Sequence, residues 1–346
     1  MSFRASIRQH EAAVSVETGQ TILEAALEAG VPYPHGCRSG NCGACKSRLE
    51  TGEVELSPYS EYALSAAERG EGLILACRAV PWSDVSLAWL DVDETAIHPL
   101  RCLTCRVVAL DDATHDIKRL NLAVETGGPF SFSAGQYAAL TFAGEAARDY
   151  SMANRPDEPV LEFHIRRTAG GTASNYVAER LRIGDTVKVE GPFGASFLRE
   201  KHTGPILAIA GGSGLAPVKS IVESALAAGK TQPIALYLGV RAERDLYLEA
   251  HFRMLAQRHG NLRFVPVLSE AGETTRRQGF VHEVAIADHP DLDGTKAYLA
   301  GPPVMVEAAT RLLLVRGVRR EDIHADAFYT EAEKAALGAA ITESVA

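Results

Sequence analysis

The sequence predicts a multidomain fold of α+β and α/β parts: a small mixed module, then an antiparallel β-barrel, then a parallel α/β sheet. Three observations predict it. Short apolar runs separated by Gly, Pro and Asp recur from residue 102 to 198, the pattern of an antiparallel barrel. From residue 204 strand and helix signals alternate instead, which predicts parallel strands joined by helices. Ahead of both, residues 91–100 (DVDETAIHPL) are acidic and end in His-Pro, as a linker does. Module boundaries follow at 1–93, 101–199 and 203–335, and 346 residues suffice for two or three cores.

The first module opens with a polar, strand-like stretch over 3–16 and turns at Thr18-Gly19. Thr21, with Glu24 three residues on, caps a short helix whose apolar face is Ile22, Leu23, Ala26 and Leu27 and which Gly30 ends. Beyond a cysteine-rich loop, 46–56 reads as strands and 57–69 as a Glu/Ala-rich helix, an apolar run over 73–76 leads into Cys77, and 85–90 reads as a last strand. Barrel strands are expected at 105–110, 117–124, 137–142, 161–166 and 186–189. The third module begins with a strand over 205–210, a glycine turn over 211–214, a helix over 218–228 and a strand over 234–240. Further signals run to a strand at 296–300, and the Ala-rich tail after Glu333 is expected to fray.

Apolar residues make up 46% and charged residues 23% of the chain, which excludes wholesale disorder, collagen and coiled coil. No apolar run approaches the roughly 18 residues of a membrane helix. The first twenty residues lack the apolar core of a signal peptide, so a cytoplasmic chain is expected. The net charge of −9 argues against nucleic-acid binding. That charge is uneven, since residues 1–93 carry 7 Lys/Arg against 13 Asp/Glu.

Cys37, Cys42 and Cys45 have the spacing C-x4-C-x2-C, and Cys77 follows later. This is the plant-type [2Fe–2S] spacing. Four thiolates around two irons and two sulfides carry net negative charge, so backbone N–H donors must come close, and Gly36, Gly40, Gly43 and Ala44 allow that approach. The alternatives are zinc, which usually takes two C-x2–4-C pairs, or simply buried thiols. Cys102-Leu103-Thr104-Cys105 has no second pair to complete a zinc site, and Cys105 reads as a small apolar residue opening a strand.

Arg148-Asp149-Tyr150-Ser151-Met152-Ala153-Asn154 matches the R-x-Y-S-x-x-N pattern of the ferredoxin–NAD(P)+ reductase superfamily. Behind a plant-type cluster loop, it makes the chain resemble, over nearly its whole length, the reductase components of bacterial ring-hydroxylating dioxygenases and multicomponent monooxygenases. The resemblance implies a β-grasp ferredoxin module, an FAD barrel and an NAD module. It implies that Arg148 binds a flavin phosphate, that Tyr150 packs on the isoalloxazine and that Ser151 reaches toward its N5. His164-Ile165-Arg166 with Gly171-Thr172-Ala173-Ser174 resembles the second flavin segment, where a helix start meets a pyrophosphate, hence FAD rather than FMN.

Gly212, Gly214, Leu215, Ala216 and Pro217 lie in a G-G-x-G-x-x-P turn between strand and helix, which taken alone reads equally as an ordinary tight turn. The family carries this turn for the nicotinamide coenzyme, and beside it a G-P-P-x-M turn, here Gly301-Pro302-Pro303-Val304-Met305. Ala300 stands where many relatives have Cys, which should alter nicotinamide packing rather than remove activity. After the strand ending at Val240, Arg241 and Arg244 would suit a 2′-phosphate, and Glu243 and Asp245 a ribose diol. The likeness of Arg241 and Asp245 with their neighbours to NADH-using relatives favours NADH over NADPH. Asp326-Ala327-Phe328-Tyr329 resembles the terminal segment whose aromatic packs over the flavin, with Phe328 as the candidate and a core phenylalanine as the alternative.

Electrons would then pass from NADH to FAD to the cluster and on to an oxygenase component or its intermediate ferredoxin, in aromatic-compound degradation. No acid–base or nucleophilic residue is required, and a monomer with no membrane or nucleic-acid partner is expected. A reductase of the CDP-6-deoxy-glucoseen type and a redox sensor without turnover are the other readings, which gene neighbours and NADH-driven cytochrome c reduction would separate. The acidic first module predicts docking on a basic face of the acceptor. Electron delivery to the true acceptor should therefore slow as salt is added, and salt-independent reduction would count against that docking.

Overall fold

A computed structural model of the chain describes residues 2–36, 38, 40, 43–61, 63–90, 94, 98–270, 272, 274–330 and 333. Most of the expected linker at 91–100 and the tail beyond Glu333 lie outside the described residues. The chain forms two compact units, residues 1–97 with 329–346, and residues 98–328.

In the first unit β1 (Ser2–Ile7) and β2 (Val14–Glu17) alternate buried and exposed side chains, as strands with one wet face do. The helix α1 (Ile22–Glu28) begins in a capping box, with Thr21 accepting from the Glu24 N–H and Glu24 bonding back to the Thr21 N–H. Then come β3 (Lys46–Thr51), β4 (Val54–Leu56), α2 (Ala66–Gly70), β5 (Leu73–Leu75), β6 (Ala79–Pro81) and β7 (Val85–Trp89). The main sheet runs β2-β1-β7-β3-β5, with β1 and β7 parallel and its other pairs antiparallel. Ile22, Leu23, Ala25 and Ala26 of α1 are buried in the same core as the strand residues, the β-grasp arrangement expected.

The helix expected over 57–69 is short at its start. Ser57 donates its N–H to Arg78 O at 2.8 Å and Ser60 donates to Gly40 O at 2.9 Å, so these backbone groups serve neighbouring loops, and Pro58 has no N–H to give. Helix begins only after Ser65, which caps it with Glu68. The pair β4–β6 was not expected, because three-residue strands carry too little periodicity to see.

The second unit begins with a six-stranded antiparallel sheet ordered β11-β10-β13-β8-β9-β12. Its strands are β8 (Arg101–Asp112), β9 (Ile117–Thr126), β10 (Tyr137–Thr141), β11 (Arg148–Ser151), β12 (Val160–Arg166) and β13 (Thr186–Phe193). A bridge between Met152 and Phe163 brings the two end strands together and curls the sheet into a barrel. Helix α3 (Thr172–Glu179) adds Ala173 and Val177 to the barrel core. β11 is a polar end strand, which is why apolar patterning did not reveal it.

The parallel half comprises β14 (Ile206–Gly211), α4 (Leu215–Ala227), β15 (Ile234–Val240), α5 (Glu249–Arg258), β16 (Leu262–Leu268), β17 (Arg277–Gln278), α6 (Val281–Asp288), β18 (Lys296–Gly301), α7 (Pro303–Val315) and β19 (Ile323–Ala327). All of its sheet pairs are parallel, in the order β17-β16-β15-β14-β18-β19. The fully apolar strands feed two cores, one on each face. α4 starts at Leu215, three residues earlier than expected, with Pro217 in its first turn where a missing N–H costs nothing.

A buried polar cluster ties the barrel to α4. The Glu162 carboxylate on β12 accepts from His164 Nε2 at 2.9 Å, Arg119 Nε at 3.1 Å and Lys219 Nζ at 3.2 Å. Lys219 also donates to Ala153 O at 3.0 Å, and Ser220 to Asn154 O at 2.7 Å. Burial alone would raise the Glu162 carboxyl, but the His164 hydrogen bond and the charges of Lys219 and Arg119 hold it well below the usual range. Removing one partner leaves a buried charge short of compensation. Lys219→Met should therefore lower unfolding stability by about 3 kcal/mol, read from thermal melts. Lys219→Met/Glu162→Gln should recover part of that loss; a double variant no more stable than the single one would show that the charge is not what matters.

Candidate functional site

Of the four candidate metal ligands, Cys37 and Cys42 lie outside the described residues, while Cys45 and Cys77 are both buried. The pairing of Lys46 with Leu75 in β3–β5, and the Ala76 N–H to Cys45 O bond of 3.1 Å, bring these two cysteines to the same end of the sheet. Gly40 and Gly43 have φ +79° and +75°, a region costing an L side chain roughly 1–2 kcal/mol. A Cβ on Gly40 would also sit 2.8 Å from Tyr59 Cβ and 2.9 Å from Arg78 Cγ. Gly40 thus lies against Tyr59 and Arg78, and Gly43 against Ala63, and a donor set of four cysteine thiols fits an iron–sulfur group.

On β11, Arg148 and Tyr150 share one face and Ser151 points to the other. Tyr150 packs at the edge of the barrel core, 6.4 Å from the Phe142 ring, and burial pushes its phenol up to about 12. Arg148 donates to Ala147 O at 2.8 Å, and Ser151 donates to Asp326 Oδ2 at 3.2 Å. The N-cap of α3 is Gly171, with no side-chain cap, so the first-turn N–H groups are left for a ligand oxygen. A Cβ at Gly171 would meet Thr168 Oγ1 at 2.3 Å and Ser174 Oγ at 2.6 Å. Thr172 is exposed, whereas Ala173 and Ser174 are buried. These features fit a phosphate-bearing flavin.

His164 and Ile165 are both buried, on opposite faces of β12. Ile165 belongs to the barrel core, and both His164 nitrogens are engaged, Nε2 with Glu162 and Nδ1 with Tyr247 Oη at 3.0 Å. Both lie on β12, an end strand of the six-stranded sheet, and pair with Arg119 and Lys118 of β9. Arg166 differs, being half-buried and donating to Asp116 Oδ2 at 2.8 Å.

A cavity of about 420 Å³ opens at the C-terminal ends of β14, β15, β16 and β18. In this sheet the strand order reverses at β14, beside β18, and such a reversal is where parallel sheets hold ligands. Among the expected residues Arg166, Gly212, Arg241, Asp245, Pro302 and Met305 line it. Gly214 and Gly301 lie behind the wall: a Cβ on Gly214 would fall 2.1 Å from Ala300 O, and one on Gly301 2.8 Å from Gly211 O. Leu215, Ala216 and Pro217 are buried in the first turn of α4, and Pro303 begins α7. The Phe328 N–H donates to Gly301 O at 2.9 Å while its half-buried ring packs on the parallel-sheet core.

Asp116, Phe280 and His282 also line the cavity and had not been singled out. Phe280 is 59% exposed and its ring stacks on His282 at 5.7 Å and 19°, and His282 Nδ1 is buried with no hydrogen-bond partner among the described residues. An exposed flat ring beside an orphaned polar atom suits a heteroaromatic base. The available signal was Gly279-Phe280, a glycine followed by an aromatic just before α6.

Three family models match in series: a 2Fe-2S iron-sulfur cluster binding domain over residues 6–81, an oxidoreductase FAD-binding domain over 104–197 and an oxidoreductase NAD-binding domain over 208–311. The reductase component of the naphthalene 1,2-dioxygenase/salicylate 5-hydroxylase systems of Ralstonia is 42% identical over 91% of this chain and 95% of its own length. The reductase component of phenol 2-monooxygenase from Pseudomonas sp. strain CF600 is 39% identical over 97% of each. The crystal structure of an Amycolatopsis cytochrome P450 reductase matches with a TM-score of 0.79 at 39% identity, covering 94% of this chain and 98% of that one. No helix among the described residues is long and apolar enough to cross a membrane. With a cluster domain, an FAD domain and an NAD domain in one chain, the protein belongs to the ferredoxin–NAD(P)+ reductase components, an oxidoreductase family.

Proposed function

We propose that this chain takes electrons from NADH and delivers them, through FAD and a [2Fe–2S] cluster, to an oxygenase component or its ferredoxin in aromatic-compound degradation. The modules are 1–93 for the cluster, 101–199 for FAD and 203–335 for NAD. The observation that carries the reading is the cavity at the strand-order reversal, walled by the glycine turn after β14 and flanked by Arg166 of the barrel strand β12. The naphthalene and phenol oxygenase systems named for the relatives support the choice of acceptor.

When bound, a flavin takes two electrons together and releases them singly, and an iron–sulfur cluster carries them one at a time. The chain's part is to bind and aim. Cys37, Cys42, Cys45 and Cys77 would hold the cluster. Arg148 and the start of α3 would hold the flavin phosphates, with Tyr150 offering a flat face and Ser151 a hydroxyl. Gly212 and Arg241 would take the coenzyme's pyrophosphate side, and Pro302 and Met305 the nicotinamide side. A cytoplasmic monomer is the form in which such a donor meets its acceptor.

Preference for NADH is supported by Asp245, whose carboxylate accepts the Ala242 N–H at 2.9 Å and is held at the cavity wall. A fixed carboxylate there accepts a ribose hydroxyl and repels a 2′-phosphate. Arg276 is not available to offset it, being tied to Glu243 and Glu249 at 2.6 and 2.7 Å.

Two measurements test these assignments. Cys77→Ser should abolish NADH-driven reduction of a one-electron acceptor such as cytochrome c while leaving stopped-flow flavin reduction within twofold of native. Loss of both would sink the modular scheme. Asp245→Asn keeps the acceptor for Ala242 but removes the charge, so kcat/KM for NADPH should rise about tenfold relative to NADH, a change of roughly 1.4 kcal/mol. An unchanged ratio would remove Asp245 from coenzyme choice.

A further inference from the structure

Tyr247 lies just before α5, outside the glycine turn and the flavin motif, yet its hydroxyl touches both. Tyr247 Oη is 3.0 Å from His164 Nδ1 on β12 and donates to Gly212 O at 3.4 Å. The Tyr247 side chain is buried, and its ring meets the His164 ring edge to face at 5.3 Å. Gly212 has φ +54° and lines the cavity, and a Cβ there would be 3.1 Å from Arg166 Nη1.

Proton placement follows from the partners. Burial lowers the His164 imidazole below its ordinary value and keeps it neutral, and burial raises the Tyr247 phenol and keeps it protonated. The Glu162 carboxylate takes the His164 Nε2–H, so Nδ1 is an acceptor and the Tyr247 hydroxyl is its donor. The same proton is shared, on its longer side, with the Gly212 oxygen. That oxygen also accepts the Leu215 N–H within the turn, so two donors fix its direction.

We infer that Tyr247 is a positioning residue for the coenzyme: held by His164, its hydroxyl sets the Gly212–Ser213 peptide plane and so aims the Ser213 N–H at a pyrophosphate. A peptide is planar and trans, so its carbonyl and its N–H point in opposite directions. Drawing the Gly212 oxygen inward toward Tyr247 therefore turns the Ser213 N–H the other way. Because His164 stands on the strand assigned to the flavin, the contact also registers the pyrophosphate turn against the barrel. The inference rests on the reading of this cavity as the coenzyme site.

The test uses the full-length holoenzyme and three ligands, NADH, ADP-ribose and adenosine. Tyr247→Phe deletes only the hydroxyl. It should bind ADP-ribose about three- to tenfold more weakly, leave adenosine affinity within twofold, and raise KM for NADH with kcat within twofold. Flavin content and melting temperature should stay native. Arg241→Glu reverses a charge in the cavity wall away from Tyr247 and should cost ADP-ribose binding independently. If Arg241→Glu loses ADP-ribose and Tyr247→Phe does not, the inference fails and the cavity reading stands. If neither variant loses it, the cavity reading fails. Equal losses for ADP-ribose and adenosine, or loss of flavin from Tyr247→Phe, would make Tyr247 a structural residue and overturn the inference.

Discussion

Where the turn after β14 meets the turn after β18, main chain lies against main chain. A methyl group on Gly214 would stand 2.1 Å from Ala300 O, one on Gly301 2.8 Å from Gly211 O, and one on Gly211 2.7 Å from Met305 Sδ. Contacts this short have no rotamer to relieve them, because the opposing atoms are mostly backbone. The sheet therefore brings two strand ends together at the reversal of strand order only because these positions lack side chains, and the cavity lies above that contact. Gly301 is under a second constraint, with φ +143°, a conformation that L side chains rarely adopt.

The barrel is registered against this sheet by polar groups as well as by apolar packing. Glu162 gathers His164, Arg119 and Lys219, and Lys219 extends from α4, the helix that follows the glycine turn. Burying a carboxylate is costly unless every lone pair is met, so the cluster tolerates little displacement of β12 relative to α4. Apolar contact would permit sliding by a few tenths of an ångström; directional hydrogen bonds in a low-dielectric setting do not. Two segments far apart in the sequence, the strand assigned to the flavin and the turn assigned to the coenzyme, are thereby held in fixed register.

The cluster module solves a different problem with the same device. Gly40 and Gly43 take left-handed conformations beside β3 and β5, which carry Cys45 and Cys77 to one sheet end. The module's acidic surface belongs to a small core in which α1 covers a mixed sheet. Its buried Tyr33 ring meets Trp89 edge to face at 5.0 Å and its hydroxyl bonds Ser47, so the aromatic is satisfied at both its apolar and polar ends.

Local chemistry was legible in the sequence. The capping box at Thr21 and Glu24, the glycines at the strand-to-helix turn and the cysteine spacing each express a rule acting within a few residues. The apolar run of β14 and the alternation of β9 likewise follow from local burial. Much less legible were β11, too polar to register as a strand, and the first half of the 57–69 segment, whose backbone is claimed by Arg78 and Gly40. Nor could local patterning show that the His164 ring meets Tyr247, or that Phe280 and Asp116 face the same cavity as Gly212. Sequence alone determined which modules exist and which turns lack side chains, because those depend on periodicity and spacing. Tertiary structure alone decided which distant side chains share a proton or a cavity wall, because that depends on how β12, α4 and the β14 turn pack, and no local pattern encodes it.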